Sequence, residues 1–326
     1  MKLDWSVLAI DARSEVERIC AGLRHGTAEL RRRGAVVAIS GGVDSAVCAA
    51  LAVRALGPER VLMLILPERE SSADSAVRAR SLAAQLGVTP LEQDITATLD
   101  AIGCYRWRDE AVRRVLPAYE SRWRMKITVA GGLEGRINHF KLAAQAPDGR
   151  ALEARLGLRE YLQIVAATSF KQRIRKTIEY FHADRLNYAV IGTPNRLEYD
   201  QGFFVKNGDG AADIKPIAHL YKSQVYELAR YLQIPPETAT APPTTDTYSL
   251  PQGQDEFYFA LPYRQMDLAL WALNQGLAVE SLAEALDLSV EEVGHVYDDI
   301  RAKRRATRYL HRRPLLLGAV AQIGDV

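Results

Sequence analysis

Between residues 6 and 33, apolar positions (Val7, Ile10, Val16, Ile19, Leu23, Leu30) recur at helical spacing among charged ones, which predicts an amphipathic helix. The run Ala35-Val36-Val37-Ala38-Ile39 follows, continuous in apolar character and bounded by Gly34 and Ser40-Gly41-Gly42, and reads as a buried strand. From Asp44 to Leu56 the chain is rich in Ala, Val and Leu and stops at Gly57-Pro58, as a buried helix does. Val61 to Leu66 repeats the strand pattern up to Pro67, and Ser71 to Leu86 the helical one up to Gly87. This alternation of strand and helix predicts a doubly wound α/β fold, a parallel sheet with helices on both faces.

The pattern breaks between about 100 and 166, where Trp107, Trp123 and many arginines lead into Gly131-Gly132. Within this stretch, Ile137 to Ala146, the turn Pro147-Asp148-Gly149 and Arg150 to Leu156 predict a β-hairpin, inserted into the α/β core. A basic helix is expected from Ser169 to His182, and a third core strand at Tyr188-Ala189-Val190-Ile191 ends at Gly192-Thr193. A glycine-rich loop covers 202–210, a helix runs from Lys222 to Leu232, and residues 239–254, rich in Pro, Thr and Gln, form a loop. Ser289 and Glu292 make a capping box at the start of a long basic helix. The expected organisation is one domain over 1–326, with 100–166 as an insertion and 255–326 as a helical C-terminal extension.

Charge changes little in this picture. Lys and Arg number 42 against 40 Asp and Glu, so nothing calls for a nucleic-acid partner. Cys20, Cys48 and Cys104 stand far apart without a CxxC pair, which argues against a zinc site or disulfide frame and for a reducing compartment. No apolar run approaches the roughly 18 to 20 residues that span a bilayer, and the charged N-terminus lacks a signal-peptide core, so a cytoplasmic protein is expected.

The chemistry concentrates at Ser40-Gly41-Gly42-Val43-Asp44-Ser45, between a strand and a helix. Adjacent glycines let backbone N–H groups turn inward, and the helix start adds partial positive charge, so the turn can cradle phosphate oxygens. The plainer reading is a tight strand-to-helix turn. Asp44 favours the cradle, because a carboxylate beside phosphates makes sense with a bridging cation. Neither GxxxxGK[ST] nor GxGxxG occurs.

This loop resembles that of the ATP pyrophosphatases, which cleave ATP between the α and β phosphates. Downstream, GTPNRLE (192–198), GFFVKNGDG (202–210), Asp213, KSQV (222–225), Pro243-Thr244, Asp255-Glu256 and HRRP (311–314) resemble the ammonia-dependent NAD+ synthetases, in that family's order, over about 35–99 and 168–314. The resemblance implies an adenine nucleotide alpha hydrolase-like fold, ATP and Mg²⁺ as cofactors, and a homodimer. It implies that Asp44 and Glu198 ligate Mg²⁺ and act with Lys222 as the catalytic set. Contacts to ATP would come from Ala38, Ile39, Ser40, Gly41, Gly42, Val43, Asp44, Ser45, Thr193, Lys222 and Thr244. Arg173, Lys206, Asp213, His311 and Arg312 would hold deamido-NAD+, nicotinic acid adenine dinucleotide. The implied reaction adenylates its carboxylate and displaces AMP with ammonia. No glutaminase segment stands out, so ammonia is expected to be free or delivered by a separate glutaminase.

Bland readings stand beside these. Glu198 is also readable as a solvated loop carboxylate, Lys206 and Asp213 as turn residues, Lys222 as a solvent-facing helix start, Arg173 as part of a charged helix face, and 311–313 as a basic run. The chain has Val205-Lys206-Asn207 where the family commonly has Thr-Lys-Tyr, and Arg312 where it has Lys. The acid-substrate half is therefore the weaker match. The alternative function is a related ligase amidating another small carboxylic acid. RNA modification normally needs paired cysteines or an added basic domain, and neither is present.

Overall fold

A computed structural model describes residues 3–130, 139–241, 247–253, 258–318 and 320. Helix α1 (Ala12–Glu29) starts at Asp11, whose carboxylate accepts from the backbone N–H groups of Arg13 and Ser14. It begins later than the sequence pattern suggests, because a separate 3₁₀ turn, Trp5–Leu8, precedes it. Strand β1 (Ala35–Ala38), helix α2 (Val43–Leu56), strand β2 (Val61–Ile65), helix α3 (Ala73–Gln85) and the two-residue strand β3 (Leu91–Glu92) follow. Helix α4 (Thr96–Ala101) reaches the stretch expected as an insertion, 100–166, and α5 (Cys104–Val115) lies within it.

Strands β4 (Arg124–Ala130), β5 (His139–Gln145) and β6 (Ala151–Arg155) form a separate antiparallel sheet in that order. The expected hairpin is β5–β6, closed by a turn at which the Ala146 N–H donates to the Arg150 carbonyl. The sequence pattern did not reveal β4, which pairs with β5 from Arg124↔Gln145 onwards. Its alternation (Met125 and Ile127 fully buried) is masked by the arginines around it. The basic helix is also longer than expected: α6 runs from Leu158 to Leu186 and ends at Asn187 in the left-handed conformation.

Strand β7 (Ala189–Val190) returns to the parallel sheet, whose order is β3-β2-β1-β7. Side chains alternate across it. Val37, Met63 and Ile65 pack with α1 and α2, whereas Val36, Leu64 and Val190 pack with α5 and α6, so the sheet is covered on both faces. The remaining helices are α7 (Arg196–Gln201), α8 (Lys222–Tyr231), α9 (Pro236–Ala239), α10 (Tyr263–Asn274), α11 (Val279–Leu286) and α12 (Val290–Thr307). The last three share a core with Leu197 and Tyr221, and α12 opens on the Ser289–Glu292 capping box. No helix among the described residues is long and apolar enough to cross a membrane.

Candidate functional site

The loop between β1 and α2 is shaped by its own hydroxyls. Ser45 Oγ donates to the Gly42 carbonyl at 3.0 Å, and the Gly42 N–H donates to Ser40 Oγ at 3.3 Å. Gly41 has φ +79°, and a Cβ there would sit 2.4 Å from the Ser75 carbonyl oxygen, so glycine is required by both conformation and space. No side chain caps the start of α2, which leaves its first-turn amides for a ligand. Arg78, on α3, donates from Nε to the Gly41 carbonyl at 3.0 Å and braces the loop from outside.

Two other elements bring charge to this turn. Asn195 caps α7: its side-chain oxygen accepts from the Glu198 N–H at 3.2 Å, and Glu198 Oε2 accepts from the Asn195 N–H at 3.1 Å. The same Asn195 donates through Nδ2 to Asp44 Oδ1 at 3.3 Å, so one buried amide ties the two carboxylates' elements together. Lys222 opens α8, and its Nζ donates to Asp44 Oδ2. Burial by itself would lower the pKa of this ammonium, but Asp44 and then Glu198 raise it well above the usual lysine range. Burial, then the same two carboxylates, push the Cys48 thiol up.

Asp267, on α10, is fully buried and holds the start of α8, accepting from the N–H groups of Lys222 and Ser223 at 3.1 and 2.7 Å. Burial pushes its carboxyl up to about 7, against the lowering effect of the hydrogen bonds from Ser223 and Lys222.

Ser40 to Ser45, Thr193, Glu198 and Lys222 all line one cavity of about 620 Å³, within the range of small-molecule sites. A smaller cavity of about 140 Å³ opens beside it, walled by Ala38, Ile39, Ser40, Ser45 and Thr193 and by Leu66 on the next strand's end. Both sit at the carboxyl ends of the parallel strands, where open α/β sheets bind ligands. Thr244 lies outside the described residues, as do Pro243, Asp255 and Glu256.

The acid-substrate set is placed differently. Arg173 is exposed on α6 and donates from Nε to the Lys206 carbonyl at 3.3 Å; Lys206 Nζ donates to the Tyr309 carbonyl at 3.0 Å. His311 is exposed, edge-on to Tyr199 and Phe204, and Arg312 beside it is also exposed. Asp213 accepts from the Val190 N–H at 2.7 Å and from Tyr180 Oη at 3.4 Å, which anchors the end of β7. None of these five lines either cavity; Arg173, Asp213, His311 and Arg312 are exposed and Lys206 is half-buried.

Sequence reasoning passed over Lys171. It is 1% exposed and lines the larger cavity, and its Nζ donates to Glu68, Glu70 and the Thr247 carbonyl at 2.9, 2.7 and 3.0 Å. Burial would raise the Glu70 carboxyl, but Lys171 and Arg108 outweigh it and hold it at about 2. A signal exists in the periodicity: Ile164, Thr168 and Lys171 share the buried stripe of α6, whereas Arg173 is off it.

The same residues can be set against known proteins. The family model described as NAD synthase matches residues 15–137 and 145–309. The chain belongs to the NAD synthase family. An NH(3)-dependent NAD(+) synthetase of Rhizobium meliloti (strain 1021) is 55% identical over 317 residues, spanning 97% of this chain and 95% of that protein. Two solved structures share the NAD synthase fold at 22% identity. NMN synthetase from Francisella tularensis has a TM-score of 0.66, with 94% of this chain and 99% of that chain covered. The NH3-dependent NAD synthetase of Campylobacter jejuni has 0.62, with 95% and 100% covered. The family match lapses between residues 137 and 145, on β5 of the inserted sheet.

Proposed function

We infer that this chain is an ammonia-dependent NAD+ synthetase: it adenylates the carboxylate of deamido-NAD+ with ATP and displaces AMP with ammonia to give NAD+. The observation that carries the reading is the meeting of Asp44, Glu198 and Lys222 over the loop at 40–45 in one cavity, in a chain 55% identical to a protein of that name.

A carboxylate is a poor electrophile, so its oxygen first attacks the α-phosphorus and pyrophosphate leaves. Negative charge grows on the departing group, and the uncapped N–H groups at the start of α2 and the Lys222 ammonium, which line the same cavity, would stabilise it. Buried Asp267 and Asp44 hold Lys222 by its backbone and its tip, so the ammonium needs no reorganisation when charge develops. The acyl-adenylate then has AMP as a good leaving group, and ammonia attacks its carbonyl carbon. The protein's main task is to hold two anionic reactants together.

Asp44 and Glu198 would hold Mg²⁺. Two carboxylates from different elements suit this ion, which takes oxygen ligands. When bound, Mg²⁺ supplies charge neutralisation at the phosphates. We assign the acid substrate to the surface carrying Arg173, Lys206, His311 and Arg312, with Asp213 at its edge, and a second copy of the chain to completing that open surface. Ammonia would arrive free or from a separate glutaminase.

The test is a product assay with ATP, Mg²⁺, ammonium and deamido-NAD+, run beside a panel of other carboxylic acids. NAD+, AMP and pyrophosphate formed in equal amounts are expected; no pyrophosphate release with the dinucleotide would refute the reading.

A further inference from the structure

The larger cavity has a second kind of wall, supplied by the insertion. Phe140 on β5, Tyr161 and Val165 on α6, and Tyr248 line it together with the loop at 40–45, Asp44, Glu198 and Lys222. Phe140 and Tyr161 lie face to face, with centroids 3.7 Å apart and planes 13° from parallel.

This wall is fixed in place from both sides. Tyr248 is buried in the insertion's own core, and the chain around it is laid along β4. The Leu250 N–H donates to the Met125 carbonyl at 3.1 Å, the Met125 N–H to Ser249 Oγ at 2.9 Å, and the Gln252 amide to the Ile127 carbonyl. At the cavity edge Lys171 grips the Thr247 carbonyl, and its partner Glu70 is bound by Arg108 of α5. Phe140 stands on the middle strand of this sheet and Tyr161 on the first turn of α6, so the pair joins the sheet to that helix.

The chemistry gives such a wall a use. An acyl-adenylate is a mixed anhydride whose carbonyl carbon accepts either ammonia or water. Both break the same C–O bond and release AMP. Ammonia leaves an amide after shedding a proton; water restores the carboxylate and a proton, so ATP ends as AMP and pyrophosphate with no product. Water is far more abundant than ammonia, so the outcome depends on keeping it out.

We propose that the inserted sheet is a water-excluding wall of the reaction cavity, and that Phe140 stacked on Tyr161 protects the acyl-adenylate from hydrolysis; this rests on the ligase reading above. Neither residue reacts. They decide how the intermediate partitions.

The experiment measures AMP and NAD+ separately for wild type, Phe140→Ala and Phe140→Leu over a graded ammonium series, with ATP, Mg²⁺ and deamido-NAD+ present. Wild type is expected to release AMP and NAD+ in equal amounts throughout. Phe140→Ala should release AMP in excess, roughly twofold or more at limiting ammonium, with the excess shrinking as ammonium rises. In ¹⁸O-water that excess should appear as label in the recovered carboxylate. Phe140→Leu, which keeps apolar bulk, should stay near parity. Equal AMP and NAD+ at every ammonium concentration in folded Phe140→Ala overturns the proposal, as does an excess that ignores ammonium. Should that variant melt below the assay temperature, Tyr161→Ala removes the other ring and is judged by the same ratio. Wild type that releases no AMP with the dinucleotide would instead refute the ligase reading, and the wall's role with it.

Discussion

Replacing Lys222 with methionine separates what its ammonium does for folding from what it does for chemistry. The Lys222 side chain is 3% exposed and its partner Asp44 17%, and Glu198 is the next negative neighbour. Methionine keeps the length and the apolar stem but removes the cation on which both Asp44 and Glu198 act. Removing one member of a buried ion pair costs about 3–5 kcal/mol. Asp44 keeps a face on the cavity, which places the loss near the lower end, about 3 kcal/mol. In a chain of 326 residues that is a fall in Tm of about 4–5 °C. The rate of pyrophosphate release should drop by about 10²–10³, as for other single donors aimed at developing charge. Thermal melting and pyrophosphate release measure the two effects on the same sample. The Asp44→Asn/Lys222→Met double variant should regain part of the stability and none of the activity, because both charges are gone but neither role is restored. A single variant melting within about 1 °C of wild type, or two substitutions whose stability effects simply add, would refute the coupling.

Three further outcomes are expected. Gly41→Ala cannot keep φ +79° beside the Ser75 carbonyl, so pyrophosphate release should fall by about 10² or more while far-UV circular dichroism is retained; near-normal kinetics would contradict the loop's role. Asn195→Ala removes the α7 cap and the bond to Asp44, costing about 1 kcal/mol of stability; a Mg²⁺ titration of activity should shift by about 10–100-fold. Asp267, with its carboxyl near 7, keeps in the fold a proton that the unfolded chain releases near pH 4, so its contribution to stability is full below about pH 4 and declines as pH rises through about 7. Denaturant midpoints taken across that range should fall for wild type and run flatter for Asp267→Asn; parallel curves would remove Asp267 as the cause.

The loop at 40–45 and the motif at 192–198 are contiguous, so their chemistry is legible in the order of residues itself. The site's walls are not. Phe140, Tyr161 and Tyr248 meet in one cavity from separate parts of the chain, and each alone reads as an ordinary aromatic in a strand, helix or loop. Arg173 and Lys171 look equivalent within one basic stretch. Two positions of helical rotation put one on open surface and the other inside, against Glu68 and Glu70.

Sequence alone determined the local pieces: which runs are strands, which are helices, and that a turn rich in glycine and serine precedes a helix. Those outcomes depend on neighbours a few residues apart, whose periodicity and conformational limits are written directly in the chain. Tertiary structure decided what those pieces do together. Asp44 and Lys222 are 178 positions apart, and Asp44 and Asn195 are 151. They meet because the strand order β3-β2-β1-β7 sets β1 beside β7 and brings the ends of both to one edge of the sheet, while α10 and Asp267 fix where α8 begins. Strand β4 was decided there too, since its side chains find an apolar face only when β5 and α5 are already beside it.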